Sequence, residues 1–132
     1  MRTRPVLDTE DAAKIMAAAK AEAARNGWIV AIVVVDERGE LLLLERMTGA
    51  PGMCSTIAHQ KAQTATLFSI PTKDVAEMVK AYPAMGKLPN VMPLQGGVPL
   101  LVGEVCVGAV AASGVESHED EQIAMAGAAA LA

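Results

Sequence analysis

The stretch WIVAIVVV (28–35) decides the fold of this chain. It is apolar at every position and rich in β-branched residues. A strand without polar alternation is covered on both faces, so we expect it at the centre of a sheet. The next residues, DERGE (36–40), predict a hairpin turn with Gly39 at a positive φ, and LLLLERM (41–47) predicts the returning strand.

Helices and a second hairpin are expected around this first hairpin. Apolar residues at helical spacing predict a helix over 8–26, with Asp8 or Thr9 as its cap. Further predicted elements are a helix over 54–68, a helix over 73–82 capped by Thr72, a loop over 82–97 with room for one short strand in the 90s, and a hairpin over 98–113.

The last predicted helix begins at SHEDEQIAMAG, with Ser117 as its cap and Asp120 three residues on. Its acidic first turn, residues 119–121, complements the positive end of the helix dipole. Hairpins joined by helices predict an α+β sandwich, in which helices flank a central and mostly antiparallel sheet. The whole chain, 1–132, is expected to form one domain.

Composition excludes several classes of function. The net charge of −4 and a sequence pI near 5.1 argue against a nucleic acid or an anionic membrane as partner. No apolar run approaches the roughly 18 residues of a membrane span, and MRTRPVLDTED lacks the apolar core of a secretion signal. We therefore expect a cytoplasmic protein. Because 52% of the residues are hydrophobic, we also expect a homo-oligomer that covers the excess.

Standard catalytic and metal-binding motifs are absent from the sequence. It has no GxSxG, HExxH, Walker or GxGxxG pattern. Cys54 and Cys106 are too few for a disulfide framework or a zinc site, so we expect two buried thiols and no bound metal ion.

The segment STIAHQKAQTA (55–65) contains two candidate ligand-binding residues. His59 and Lys61 are two positions apart, and an α-helix turns about 100° per residue, so they point to nearly opposite sides. Lys61 shares its helix face with apolar residues, where desolvation would favour a base, a nucleophile or an anion contact. Of the two, we expect Lys61 to face a pocket. His59 or His118 could ligate haem iron, although His118 is also interpreted as a solvated residue of a helix first turn.

Asp36, Arg46 and the glycine pair at 96–97 are further candidates for a functional role. We interpret Asp36 as a turn residue that bonds its own backbone. Arg46 follows a strand of leucines and would either clamp a carboxylate or pair with a carboxylate of the protein. In LQGGVPLL (94–101), Gly96 and Gly97 would form either an anion nest or a tight turn into a strand.

Four segments in order resemble one known family. VVVDERGELLLLERMTGAP, IAHQKAQTA, LQGGVPLLVGEVCVGAVAASG and DEQIAMAG, within residues 8–130, resemble the GlcG/HbpS family, whose unit also forms the C-terminal domain of PduO-type proteins and is often labelled a haem-degrading domain. The resemblance implies a profilin-like sandwich, homo-oligomers and a haem or other tetrapyrrole ligand. It matches Arg46, Lys61, Gly96 and Gly97, which would also suit a small carboxylate.

Two functional hypotheses follow. In the first, an oligomeric protein binds haem or another small anionic ligand, with Arg46 and Lys61 near its carboxylates and His59 or His118 near the metal. In the second, a cofactor-free tautomerase, hydratase or hydrolase acts on a small unsaturated acid. Arg46 would orient the substrate, the amides of Gly96 and Gly97 would stabilise an oxyanion, and Lys61 or a histidine would move the proton. A purely structural oligomer is the third interpretation.

Overall fold

The apolar stretch forms the centre of a four-stranded antiparallel sheet, as predicted. A computed structural model describes residues 1–131 of the chain. Its elements are α1 (Thr9–Arg25), β1 (Ala31–Asp36), β2 (Leu41–Arg46), α2 (Met53–Phe68), α3 (Thr72–Ala81), a 3₁₀ helix (Pro83–Lys87), β3 (Gly97–Val102), β4 (Val105–Ser113) and α4 (Ser117–Ala129). The strands are ordered β2-β1-β4-β3, and the four α-helices with this one antiparallel sheet within residues 1–131 confirm the predicted α+β class.

Alternate residues of β1 pack into two separate cores. Ile32 and Val34 face α1 and α4, whereas Val33 and Val35 face α2. All four of these side chains are fully buried. The helices therefore cover both faces of the sheet, which explains why β1 shows no polar alternation.

The core beneath α2 is built from small side chains. Besides the valines of β1 it contains only alanines and one cysteine, namely Ala31, Cys54, Ala58, Ala62, Ala65, Ala109 and Ala111. Small residues allow a helix to lie close to a sheet. At the edge of this layer, a Cβ on Gly97 would lie 2.8 Å from the carbonyl oxygen of Lys61, so the close approach requires glycine there.

Several predicted element ends differ from the observed ones. The N-cap of α4 is Glu116, in a capping box with Glu119, and not Ser117. Thr72 is the first residue of α3 rather than its cap, which is Pro71. The strand predicted from residue 28 begins at Ala31, because the N–H of Trp28 still donates to the carbonyl of Ala23 to close α1.

The structure also tests the predictions for the β1–β2 turn, the two cysteines, the additional strand and the cap of α1. Asp36 is a turn residue as interpreted, since its Oδ1 accepts from the backbone N–H groups of Arg38 and Glu40. Both cysteines are free, but Cys106 is only half-buried. Within the described residues, the segment 88–96 contains no strand, so the additional short strand is not found. Asp8 caps α1 and forms a capping box with Asp11.

Candidate functional site

A buried ion pair joins α2 to α4 at one end of the sheet. The Lys61 Nζ lies 3.1 Å from Asp120 Oδ2 and donates to the Ala112 carbonyl at 3.0 Å. Lys61 and Asp120 are each 2% exposed. The pair therefore ties α2, β4 and α4 together, and the amine has no access to bulk solvent.

Both oxygens of the Asp120 carboxylate accept hydrogen bonds. Its Oδ1 accepts the backbone N–H of Val115 at 3.2 Å. Burial raises the pKa of Asp120 above its ordinary value, while Lys61 and the Val115 N–H act in the opposite direction. Asp120, which the sequence indicated as part of an acidic first turn and of the family-like segment DEQIAMAG, is thus the partner of Lys61.

Gly96 and Gly97 lie against the same pair. A Cβ on Gly96 would be 2.6 Å from Lys61 Nζ and 2.9 Å from the Ala112 oxygen. The N–H of Gly97 donates to Thr72 Oγ1 at 2.9 Å, inside the protein. This N–H is therefore not available to a ligand, and the geometry favours the tight turn into β3 over an anion nest.

The other predicted site residues lie apart from this cluster. Arg46 is at the end of β2, the opposite edge strand, and its Nη1 donates to the Ala50 carbonyl at 2.6 Å. His59 Nε2 is 3.3 Å from the Gly39 carbonyl, at the β1–β2 turn. His118 is exposed on the first turn of α4. Three of the six predicted residues, Lys61, Gly96 and Gly97, therefore come together.

A cleft of about 530 Å³ lies along the free edge of β3, between the α2–α3 corner and α4. Apolar side chains dominate its lining, and Lys73 and Glu121 are its charged residues. The lining residues are Ser69, Pro71, Lys73, Val98, Pro99, Leu101, Glu121, Met125, Ala128 and Ala129. Such a cleft, with a few convergent polar groups, has the usual character of a small-molecule site.

Glu121 is the buried charge in the cleft wall. It is 8% exposed, and its Oε1 accepts from Gln95 Nε2 at 3.2 Å and lies 3.8 Å from Lys73 Nζ. Its Oε2 is buried and has no hydrogen-bond partner among residues 1–131. Sequence reasoning missed this site, although Glu121 and Met125 are four apart on one helix face.

Residues 1–131 contain neither a candidate metal site nor a helix suited to span a membrane. No cluster of three or more His, Cys, Asp or Glu side chains able to hold a metal ion occurs within residues 1–131. None of the helices described there has the length and apolar character needed to cross a membrane.

Comparison with known proteins places this fold in a family. Residues 7–129 match the family described as haem degrading protein HbpS-like. Protein GlcG of Escherichia coli K12 is 40% identical over 114 residues, which cover 86% of this chain and 85% of GlcG.

Solved structures agree with that match. A double mutant of Streptomyces reticuli HbpS has a TM-score of 0.95 at 32% identity, over 100% of this chain and 91% of that one. A haem complex of PduOC has a TM-score of 0.88 at 26% identity, over 96% of this chain and 95% of that one. On its sequence and its fold alike, the chain belongs to the HbpS-like family.

Proposed function

We propose that this protein binds a small anionic ligand, haem or another carboxylate, in the cleft beside β3. The observation that carries the proposal is the cleft itself, whose volume of about 530 Å³ lies within the range of known ligand pockets. Its apolar walls suit an apolar ligand body, and Lys73 supplies a cation for a carboxylate. The similarity to HbpS and to the PduOC haem complex supports a ligand of this kind.

The cleft suits both the apolar macrocycle and the anionic propionates of haem. The walls would contact the macrocycle, and Lys73 would pair with a propionate. The lining contains no histidine, but the thioether of Met125 belongs to a group type that ligates haem iron. Bound haem would supply an iron centre for electron transfer or gas binding. His59 and His118 stay alternative axial ligands outside the cleft.

We expect Lys73, and not Lys61, to be the cation that contacts the ligand. Lys61 is 2% exposed and already bonded to Asp120 and Ala112. Lys73 has a side chain 53% exposed at the mouth of the cleft. In the cofactor-free enzyme, Lys61 or a histidine would move the proton and the Gly96 and Gly97 amides would stabilise an oxyanion. Lys61 and the Gly97 N–H are both bonded inside the protein, and both histidines lie apart from them, so the geometry favours the binding function over that alternative.

Oligomerisation stays a prediction, and one feature supports it. The edge strand β2 exposes Leu41, Leu42 and Leu44, each of which is between 36% and 47% accessible. Exposed apolar edge strands are commonly covered by another chain. The cytoplasmic location is likewise still a prediction from the sequence.

Haemin titration of the chelator-treated protein tests the proposed function. We expect a saturable Soret shift near one haem per subunit. Lys73→Ala should raise the Kd by up to about fivefold, because a partly exposed ion pair contributes about 0.2–1 kcal/mol. Met125→Leu should change the Soret position, because it removes the thioether.

Matched variants identify the location of any bound haem. Lys80→Ala changes a lysine of the same helix that lies outside the cleft lining, and it should leave the titration unchanged. Loss of the shift in His59→Ala or His118→Ala, with Lys73→Ala normal, would place the haem outside the cleft. A shift no larger than that of a control protein would exclude haem and leave small carboxylates.

A further inference from the structure

The unpaired oxygen of Glu121 requires a hydrogen-bond donor that the described part of the chain does not supply. Oε2 has less than 1 Å² of accessible surface and no partner. A buried acceptor left without a donor is unfavourable, more so when the group is charged. The side chain nevertheless lines the cleft, and the terminal torsion of a carboxylate is soft, so rotation about this torsion can present the oxygen to a ligand.

The two charged groups of the cleft stand side by side. Lys73 Nζ is 3.8 Å from Glu121 Oε1, so one small ligand that carries an anion and a nearby donor can contact both side chains. A carboxylate with a hydroxyl or ammonium group on the adjacent carbon has this arrangement. The remaining walls, which include Val98, Leu101 and Met125, suit an apolar tail.

We propose that the cleft selects carboxylic acids that carry a hydroxyl or ammonium group on the carbon next to the carboxylate. Glu121 recognises this group by accepting a hydrogen bond from it. The inference rests on the proposed function, because it names the ligand class of the same cleft. Glu121 accepts from the donor, Lys73 pairs with the carboxylate, and the apolar tail lies along β3 and α4.

Three probes that differ at one position test the selection. They are 3-phenylpropanoate, which has no donor, 3-phenyllactate, which has a hydroxyl, and L-phenylalanine, which has an ammonium group. The chain has eight methionines, so methyl-¹³C methionine NMR can follow the Met125 methyl group in the cleft wall, assigned with Met125→Leu. We expect at least one of the two donor-bearing probes to bind about tenfold more tightly than 3-phenylpropanoate, which corresponds to about 1.4 kcal/mol.

Glu121→Met is the decisive variant because methionine has nearly the same length and no carboxylate. It should abolish the preference for a donor and leave 3-phenylpropanoate binding within about threefold. Its fold should be retained, because the change removes a buried unpaired oxygen and leaves the half-buried Gln95 able to reach water. If Glu121→Met does not fold, Glu121→Gln keeps the shape of the side chain and should reduce the preference, because a neutral amide accepts more weakly than a carboxylate.

The possible outcomes separate this inference from the proposed function. Equal affinity for all three probes, or a preference that survives in Glu121→Met, would overturn the inference and leave the proposed function intact. Failure of all three probes and of haemin would remove both. A Met125 resonance that moves with protein concentration and not with any probe would also overturn both, because the cleft would then be an interface between copies of the chain.

Discussion

Replacing Lys61 with methionine should lower the free energy of unfolding by about 3–5 kcal/mol, because removing one partner of a buried ion pair leaves an uncompensated charge. In the wild-type protein the Lys61 Nζ lies 3.1 Å from Asp120 Oδ2, and both side chains are almost fully buried. Urea denaturation of the purified variant measures the loss. A decrease below about 1 kcal/mol would show that the pair is not buried as described.

Two further variants isolate the pair from general effects of removing a lysine. Lys80 pairs with Glu77 at 3.0 Å on the exposed surface of α3, so Lys80→Met should change stability by less than about 1 kcal/mol. The double variant Lys61→Met with Asp120→Leu should recover much of the loss, because no buried charge remains unpaired.

The free energy of unfolding of Lys61→Met should depend on pH in a predictable direction. The folded-state pKa of Asp120 is raised by burial above its unfolded value near 3.9. Its contribution to stability is therefore fully present below about pH 4 and is lost as the pH rises through the folded pKa. Lys61 is the cation that lowers the pKa of Asp120, so without it this pKa rises further. The loss of unfolding free energy in Lys61→Met should therefore be smaller at pH 5 than at pH 7.5. Equal losses at the two pH values would contradict this account.

Local patterns predicted the strands well because they act over a few residues. The unbroken apolar run predicted β1 as a central strand, and the turn after it joins β1 to β2 with Asp36 bonded to its own backbone and Gly39 at the predicted positive φ. Helix caps were less predictable. Thr72 has a side chain typical of a cap, but its hydroxyl bonds the backbone of Gly97, 25 residues away.

The site depends on contacts that no local pattern contains. Helical spacing placed Lys61 on the apolar side of α2, and the structure buries it there. Its partner Asp120 is 59 residues away, and neither the acidic first turn nor the family-like segment DEQIAMAG indicated this pairing. Glu121 follows in that same run, yet packing turns it into the cleft beside Lys73. Which carboxylate becomes buried is decided by tertiary packing, so sequence alone could not distinguish the two from their solvated neighbours.

The second large effect is expected at the glycine that lies against the buried pair. Gly96 has a φ of +139°, a conformation that L side chains rarely adopt, and an added Cβ would meet Lys61 Nζ at 2.6 Å, the Ala112 oxygen at 2.9 Å and Asp120 Cβ at 3.1 Å. Backbone strain of about 1–3 kcal/mol and overpacking of about 1–3 kcal/mol act together. Gly96→Ala should therefore lower the free energy of unfolding by about 2–6 kcal/mol, as measured by urea denaturation.

A second glycine separates strain from crowding in that result. Gly27 also has a positive φ, +72°, but a Cβ there would have nothing within 4 Å, so Gly27→Ala should show only the backbone strain, about 1–2 kcal/mol. In a Lys61→Ala background, Gly96→Ala should destabilise less than in the wild type, because one of the crowding atoms is gone. If Gly96→Ala and Gly27→Ala lowered the free energy of unfolding by the same small amount, glycine would be needed at position 96 only for its positive φ. The close packing of β3 against the Lys61–Asp120 pair would then not contribute to the stability of the fold.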